Sequence, residues 1–176
     1  VKTFNATNHT HLTDNSVSMQ HGDTVHFRIE SFNKAGLAVA VKTDGFTVDH
    51  TPPNLVFIED NNLRLSYQID DSSLTLRWQY QDKESGIKEY RYSVFELMHG
   101  IKKRVWPKTS MYISIPPSLT SQPTEIYYTE KLVSGATYSV HVTAINQAQL
   151  STAHESNGVT IDPTPPIMLK VRPIFL

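Results

Sequence analysis

The sequence predicts an all-β protein assembled from repeated units. Three observations carry this: apolar and polar residues alternating with period 2, a gapless internal repeat, and no amphipathic helical segment of useful length. Residues 22–53 read GDTVHFRIESFNKAGLAVAVKTDGFTVDHTPP, and residues 135–166 read GATYSVHVTAINQAQLSTAHESNGVTIDPTPP. They align at a constant offset of 113 residues, with Gly22/Gly135, Thr24/Thr137, Asn33/Asn146, Ala35/Ala148, Leu37/Leu150, Gly45/Gly158, Thr47/Thr160 and Asp49/Asp162 identical. A shared Thr-Pro-Pro closes both copies.

In the first copy, Thr24 to Ser31 place Val25, Phe27 and Ile29 on one face, which predicts a half-buried antiparallel strand. Asn33 to Leu37 supply turn residues, and Gly45 to Val48 are expected to return as the partner strand of a hairpin. Pro52 and Pro53 cannot donate to a ladder and hold the chain extended, so they read as a stiff linker. Further strands are predicted over Asn54–Ile58, Leu63–Ile69, Leu74–Tyr80, Glu89–Met98, Lys103–Val105, Met111–Ile115 and Ile126–Leu132, punctuated by Gly86, Gly100, Pro107, Pro116 and Pro117. The second copy repeats the plan. Thr137–Ala144 turn Tyr138, Val140 and Val142 inward, Gly158–Ile161 return, and Pro165 and Pro166 form a second linker.

The expected division is therefore residues 1–50 as the C-terminal part of one unit, 51–53 as linker and 54–162 as a complete unit. Residues 163–166 are a second linker and 167–176 the first strand of a following unit. Val1 is not an initiator, and IMLKVRPIFL stops in an apolar stretch without a turn signal, so a fragment of a longer protein is expected.

Composition narrows the partners. With 39% hydrophobic and 19% charged residues the chain has material for a packed core. Sixteen basic and 17 acidic side chains leave a formal charge of −1, which gives no electrostatic footprint for nucleic acid or an anionic membrane. The longest apolar run, Gly36 to Val41, falls far short of the roughly 20 residues that span a bilayer. No cysteine is present, which excludes thiol nucleophiles, disulfides and thiolate metal sites.

The complete unit resembles a fibronectin type III domain, an immunoglobulin-like β-sandwich. Trp78, in LTLRWQY, stands where that family places its inward tryptophan on strand B. DKESGI followed by KEYRYSV resembles the loop and strand C. LVSGATY, with Leu132 and Tyr138 six residues apart, is similar to the E–F corner that locks the sandwich. YSVHVTAINQAQLS resembles strand F and the start of the F–G loop. The unit departs from the family in extra residues before Trp78 and around 118–124, and no Arg-Gly-Asp tripeptide is present. The resemblance implies tandem, extracellular-type repeats.

Residues that invite a chemical role read mostly as structure. Trp78 and Tyr138 sit on alternating strands and are assigned with Leu132, Val140 and Val142 to the core. Tyr127 and Tyr128 are adjacent, so one ring must face outward as a contact candidate. His9, His11, His21 and His26 cluster near the amino end, yet they lack the spacing and ligand number of a zinc site. Glu59-Asp60, Asp70-Asp71 and Asp82-x-Glu84 supply oxygen ligands of the kind calcium uses, but acidic residues at turns bond their own backbone more often. No Gly-x-Ser-x-Gly elbow or Gly-rich phosphate loop occurs, so no catalytic residue and no cofactor is expected. Asn5-Ala-Thr and Asn8-His-Thr are N-glycosylation sequons.

The expected function is a non-catalytic structural and interaction module of an extracellular or cell-surface protein. It would contact other domains of its own chain and a protein ligand, with neither nucleic acid nor direct membrane contact. The alternatives are an accessory module of a secreted carbohydrate-active or proteolytic enzyme, or a carbohydrate-binding module.

Overall fold

A computed structural model describes residues 13, 15–60, 66–117 and 123–168. The chain divides into two compact units, Val1–His50 and Thr51–Leu176. Their described residues form strands and turns and no helix.

The first unit contains β1 (Thr24–Val25), β2 (Arg28–Phe32), β3 (Ala38–Lys42) and β4 (Phe46–Thr47). β2 and β3 form an antiparallel hairpin running from Arg28↔Lys42 to Phe32↔Ala38. β1 pairs with β4 through Thr24↔Thr47 and Val25↔Phe46. The hairpin turn is built by Asn33, whose Oδ1 accepts the Ala35 and Leu37 amides, each at 2.9 Å. Three expectations fail in this unit. The strand expected over Thr24–Ser31 breaks at His26 and Phe27, where the Phe27 amide goes to Thr43 Oγ1 at 2.9 Å and, among the described residues, no strand pairs along the other edge to carry the ladder through. The return strand is Ala38–Lys42, and the Gly45–Val48 segment contributes only Phe46–Thr47. Phe27 and Ile29 are exposed, at 56% and 66%, not half-buried, because among the described residues β2 pairs only with β3, in a two-stranded sheet.

The second unit contains β5 (Asn54–Glu59), β6 (Tyr67–Gln68), β7 (Leu74–Gln81), β8 (Ile87–Met98) and β9 (Ile101–Trp106). It continues with β10 (Ile113–Ile115), β11 (Thr124–Tyr128), β12 (Thr137–Asn146), β13 (Ser151–Glu155) and β14 (Val159–Ile161). One sheet has the order β11-β7-β5. The other is built on β8 and β12, with β9 and β10 on β8, β13 and β14 on β12, and β6 added parallel to β14. The result is an immunoglobulin-like β-sandwich.

Alternation explains the sandwich. Along β7, Leu74, Leu76, Trp78 and Tyr80 point inward, and along β12, Tyr138, Val140, Val142 and Ala144 meet them. Trp78 lies between Tyr90 and Tyr92 of β8, with ring centroids 5.9 and 5.5 Å away. Each fully buried aliphatic side chain contributes about 1.5–3 kcal/mol relative to exposure. Several boundaries differ from the sequence reading. The expected Gly158–Ile161 strand is present as Val159–Ile161, paired antiparallel to β12, and ahead of it lies a further return strand, Ser151–Glu155, that the sequence reading lacked. The strand expected to end at Leu132 stops at Tyr128. Of the strand expected over Leu63–Ile69, residues 63–65 lie outside the described residues, and among the rest Tyr67–Gln68 pair. Ile167 and Met168 belong to no strand, and the remainder of the expected last strand, 169–176, lies outside the described residues.

Candidate functional site

Three polar clasps hold β12 to the rest of the sandwich, and an outward sheet face carries the exposed contact candidates. At the first clasp the Tyr138 ring is buried, and its hydroxyl accepts the Val133 amide at 2.9 Å. The same hydroxyl donates to Glu96 Oε2 on β8 at 2.7 Å. Lys103 on β9 reaches Glu96 Oε1 at 2.7 Å. Burial alone would raise the Glu96 pKa, but the Lys103 and Tyr138 hydrogen bonds outweigh it and hold the carboxyl below its ordinary range. Burial together with the Glu96 bond pushes the Tyr138 hydroxyl well up. Leu132, buried beside this corner, is fixed by its amide to Asp71 O at 2.7 Å.

The second clasp is Asp60, at the end of β5. Its Oδ1 accepts the Val140 amide at 3.2 Å and the Ser156 hydroxyl, and its Oδ2 accepts the Gly158 amide at 2.7 Å. Burial raises the Asp60 pKa, while those three hydrogen bonds oppose the rise. The third clasp is Asn146, fully buried at the end of β12. Its Nδ2 donates to Thr51 O at 2.9 Å and to Asp82 Oδ2 at 3.0 Å, and its Oδ1 accepts the Leu150 amide at 2.8 Å. Asp82 Oδ1 accepts the Ser85 and Gly86 amides at 3.0 and 2.8 Å. Pro53 is fully buried beside an exposed Pro52, whereas Pro165 and Pro166 are both exposed.

Outside the core, Tyr127 is 67% exposed and Tyr128 buried. The Tyr127 hydroxyl donates to Glu125, whose carboxylate also meets Arg77. On the larger sheet, Arg91 bonds Glu89 at 2.6 Å and lies 4.9 Å from the Tyr112 ring centroid. The Ser114 hydroxyl and Arg91 hold Glu89 below its usual pKa range. Nearby, Lys102 sits over the Phe95 ring and pairs with Glu155. The cleft lined by Leu76, Tyr92, Val94, Trp106 and Ile126 holds about 130 Å³, well under the roughly 300 Å³ at which small-molecule sites begin.

The remaining candidates disperse. His21 Nδ1 accepts the His50 amide at 3.2 Å and lies 3.8 Å from buried Asp49, while His9 and His11 fall outside the described residues. Among the described residues no group of three or more histidine and acidic side chains is arranged to hold a metal. Asp70 and Asp82 accept hydroxyls and amides of their own turns. The sequon asparagines, Asn5 and Asn8, lie outside the described residues. Sequence reasoning missed Asp60, Glu96 and Asn146 as clasps. The one available signal was Asn33/Asn146, identical in both copies at the end of the alternating strand.

The family model for the fibronectin type III domain matches residues 52–161, which take in β5 to β14 and all three clasps. No curated protein matches the chain. Domains of this kind are generic structural modules, generally non-catalytic and commonly extracellular. By sandwich architecture and a model match over most of its length, the chain belongs to the fibronectin type III family.

Proposed function

We propose that this chain is a non-catalytic spacing and presenting module of a larger extracellular or cell-surface protein of the adhesion, receptor or matrix type. The observation that carries the reading is the seating of Thr51 to Pro53. The Thr51 carbonyl is bonded by Asn146, and Pro53 is buried, so the chain joins the sandwich at a fixed point. A seated entry fixes the sandwich end of the linker, which a spacing module requires. The outward face around exposed Tyr112 and half-buried Arg91 and Phe95 offers a protein partner aromatic and arginine contacts of the kind enriched at interfaces. In this reading, residues 1–50 close a preceding domain, and 163–166 lead to the next.

Backbone relaxation at Thr51 and Asn54 tests the spacer. Order parameters near about 0.85, equal to those of β12, are expected, and values under about 0.6 would refute it. Peptide mapping of the protein from its natural source tests the compartment. Glycan on Asn5 or Asn8 is expected, and finding both asparagines bare would overturn an extracellular setting.

A further inference from the structure

The first unit repeats the closing strands of the sandwich position for position. Every pair of β1–β4 and β2–β3 recurs 113 residues later: Thr24↔Thr47 as Thr137↔Thr160, and Arg28↔Lys42 through Phe32↔Ala38 as His141↔Glu155 through Ile145↔Ser151. Bonds outside the ladders recur too. Thr43 Oγ1 takes the Phe27 amide at 2.9 Å, and Ser156 Oγ takes the Val140 amide at 2.8 Å. Gly22 N reaches Val48 O, and Gly135 N reaches Ile161 O, both at 2.8 Å. Gly36 and Gln149 both have positive φ, 80° and 68°.

What differs is the cover. In the sandwich, β12 carries β8 along its other edge, in register from Thr137↔Leu97 to Ile145↔Glu89. Val140 and Val142 have no exposure at all, and their counterparts Phe27 and Ile29 are open. The opposite face of β2 carries Arg28 and Glu30, paired to each other, so the hairpin is already sorted into an apolar and a charged side. The donors that grip Asp60 also have counterparts. Val140 N, Ser156 Oγ and Gly158 N correspond to Phe27 N, Thr43 Oγ1 and Gly45 N.

We propose that this unit is an interaction surface for the leading strands of a second fibronectin type III sandwich. Those strands pair antiparallel along β2, cover Phe27, Ile29 and Val41, and set one carboxylate on the amides of Phe27 and Gly45 and the hydroxyl of Thr43. The occupant is polypeptide on the amino-terminal side of the same chain, because every element that covers β12 from β5 through β11 precedes it in sequence. The inference rests on the family assignment and on the proposed place of residues 1–50. It is independent of the spacer reading, which is measured at Thr51 and Asn54.

Amide hydrogen exchange tests it on two proteins, the 176-residue chain and the same chain carrying its natural sequence ahead of Val1. In the shorter chain, the β2 amides facing away from β3 are expected to exchange at unprotected rates. In the longer protein they slow by about 100-fold or more, to the level of their counterparts in His141–Ile145. The Gly45 amide resonance then titrates with a carboxylate in the longer protein only, and Thr43→Val weakens protection at Phe27. Equal exchange in the two proteins would overturn the proposal. So would the lack of any preceding sequence, or concentration-dependent protection in the shorter chain, which would assign the surface to a second copy.

Discussion

Replacing Asn146 by Asp changes no volume and tests the linker clasp by charge alone. The wild-type amide donates to Thr51 O and to Asp82 Oδ2, the latter at 3.0 Å. An aspartate there turns both donors into acceptors and faces one carboxylate with another. At an effective dielectric of about 20, two unit charges that close repel by roughly 5–6 kcal/mol, before the loop carrying Asp82 relaxes. Asn146→Ala removes the same donors without adding charge and also abandons the Leu150 amide, which Oδ1 accepts at 2.8 Å. Three lost hydrogen bonds at a buried site are worth about 2–4 kcal/mol. Asn146→Asp is therefore expected to be the more damaging at pH 7, by about 1–2 kcal/mol over Asn146→Ala. The order reverses near pH 4, because two carboxyls at this separation share a proton and one pKa rises. The folded state then binds more protons than the unfolded one, so the stability of the Asp variant falls as pH rises through that raised pKa. Urea unfolding followed by the fluorescence of buried Trp78 gives both values at both pH values. Equal stability of the Asp variant at pH 4 and 7, or a wild-type midpoint at pH 7, would refute the clasp.

Two further outcomes follow from the other contacts. Tyr138→Phe strips a donor from buried Glu96 and is expected to lose about 1.5–3 kcal/mol. Glu96 has a lowered folded pKa, so its contribution is present above the unfolded value and disappears as pH falls through the folded one; in the variant, acid unfolding starts at higher pH, seen in a pH titration of ellipticity. Gly158→Ala and Gly135→Ala form a matched pair, both at positive φ, 86° and 80°. A Cβ on Gly158 would stand 2.8 Å from Thr137 Cγ2 and 3.2 Å from Tyr138 O, whereas one on Gly135 meets nothing within 4 Å. Thermal unfolding should show Gly135→Ala losing about 1 kcal/mol and Gly158→Ala at least about 1 kcal/mol more, and equal losses would contradict the close approach.

How much of this was legible depended on whether the determining contacts are local. The β7 and β12 cores were readable because period-2 alternation survives in any strand buried on one face. The intervening return strands, Ala38–Lys42 and Ser151–Glu155, were missed for the opposite reason. Ser151–Glu155 is an edge strand with exposed and half-buried positions only, so STAHE carries no apolar pattern. Gly45 and Gly158 do stand before paired strands, Phe46–Thr47 and Val159–Ile161, and at φ of 89° and 86° they also make the break that separates these from the preceding edge strands. Val25, Phe27 and Ile29 alternate as a core strand does, but alternation specifies which face is to be covered and does not provide the cover. The clasps were invisible because their partners are remote: Asp60 and Ser156 stand 96 residues apart, and Asn146 and Thr51 stand 95 apart.

Asn146 joins a local and a non-local half in one side chain, and that division has a kinetic consequence. Its Oδ1 closes a turn four residues away, at Leu150, and the first unit makes the same bond between Asn33 and Leu37 with no sandwich around it among the described residues. This half belongs to the hairpin and needs only local closure. The Nδ2 half bridges Asp82 and Thr51, 64 and 95 residues distant, and exists only once β5, β7 and β12 are in place. Loop closure over such separations must precede the bond it permits, so the linker clasp forms after the main barrier. Asp82→Asn, which keeps an Oδ1 for the Ser85 and Gly86 amides and replaces only the Oδ2 acceptor of Asn146, leaves the local turns and the Leu150 bond intact and should then speed unfolding with little effect on folding, a φ-value near zero. Asn146→Ala adds loss of the local turn and should show a measurably higher value. Stopped-flow chevrons on the two variants separate the halves. If Asp82→Asn instead slowed folding in proportion to its loss of stability, the linker would be seated before the sheets close, and the order argued from contact separation would be wrong.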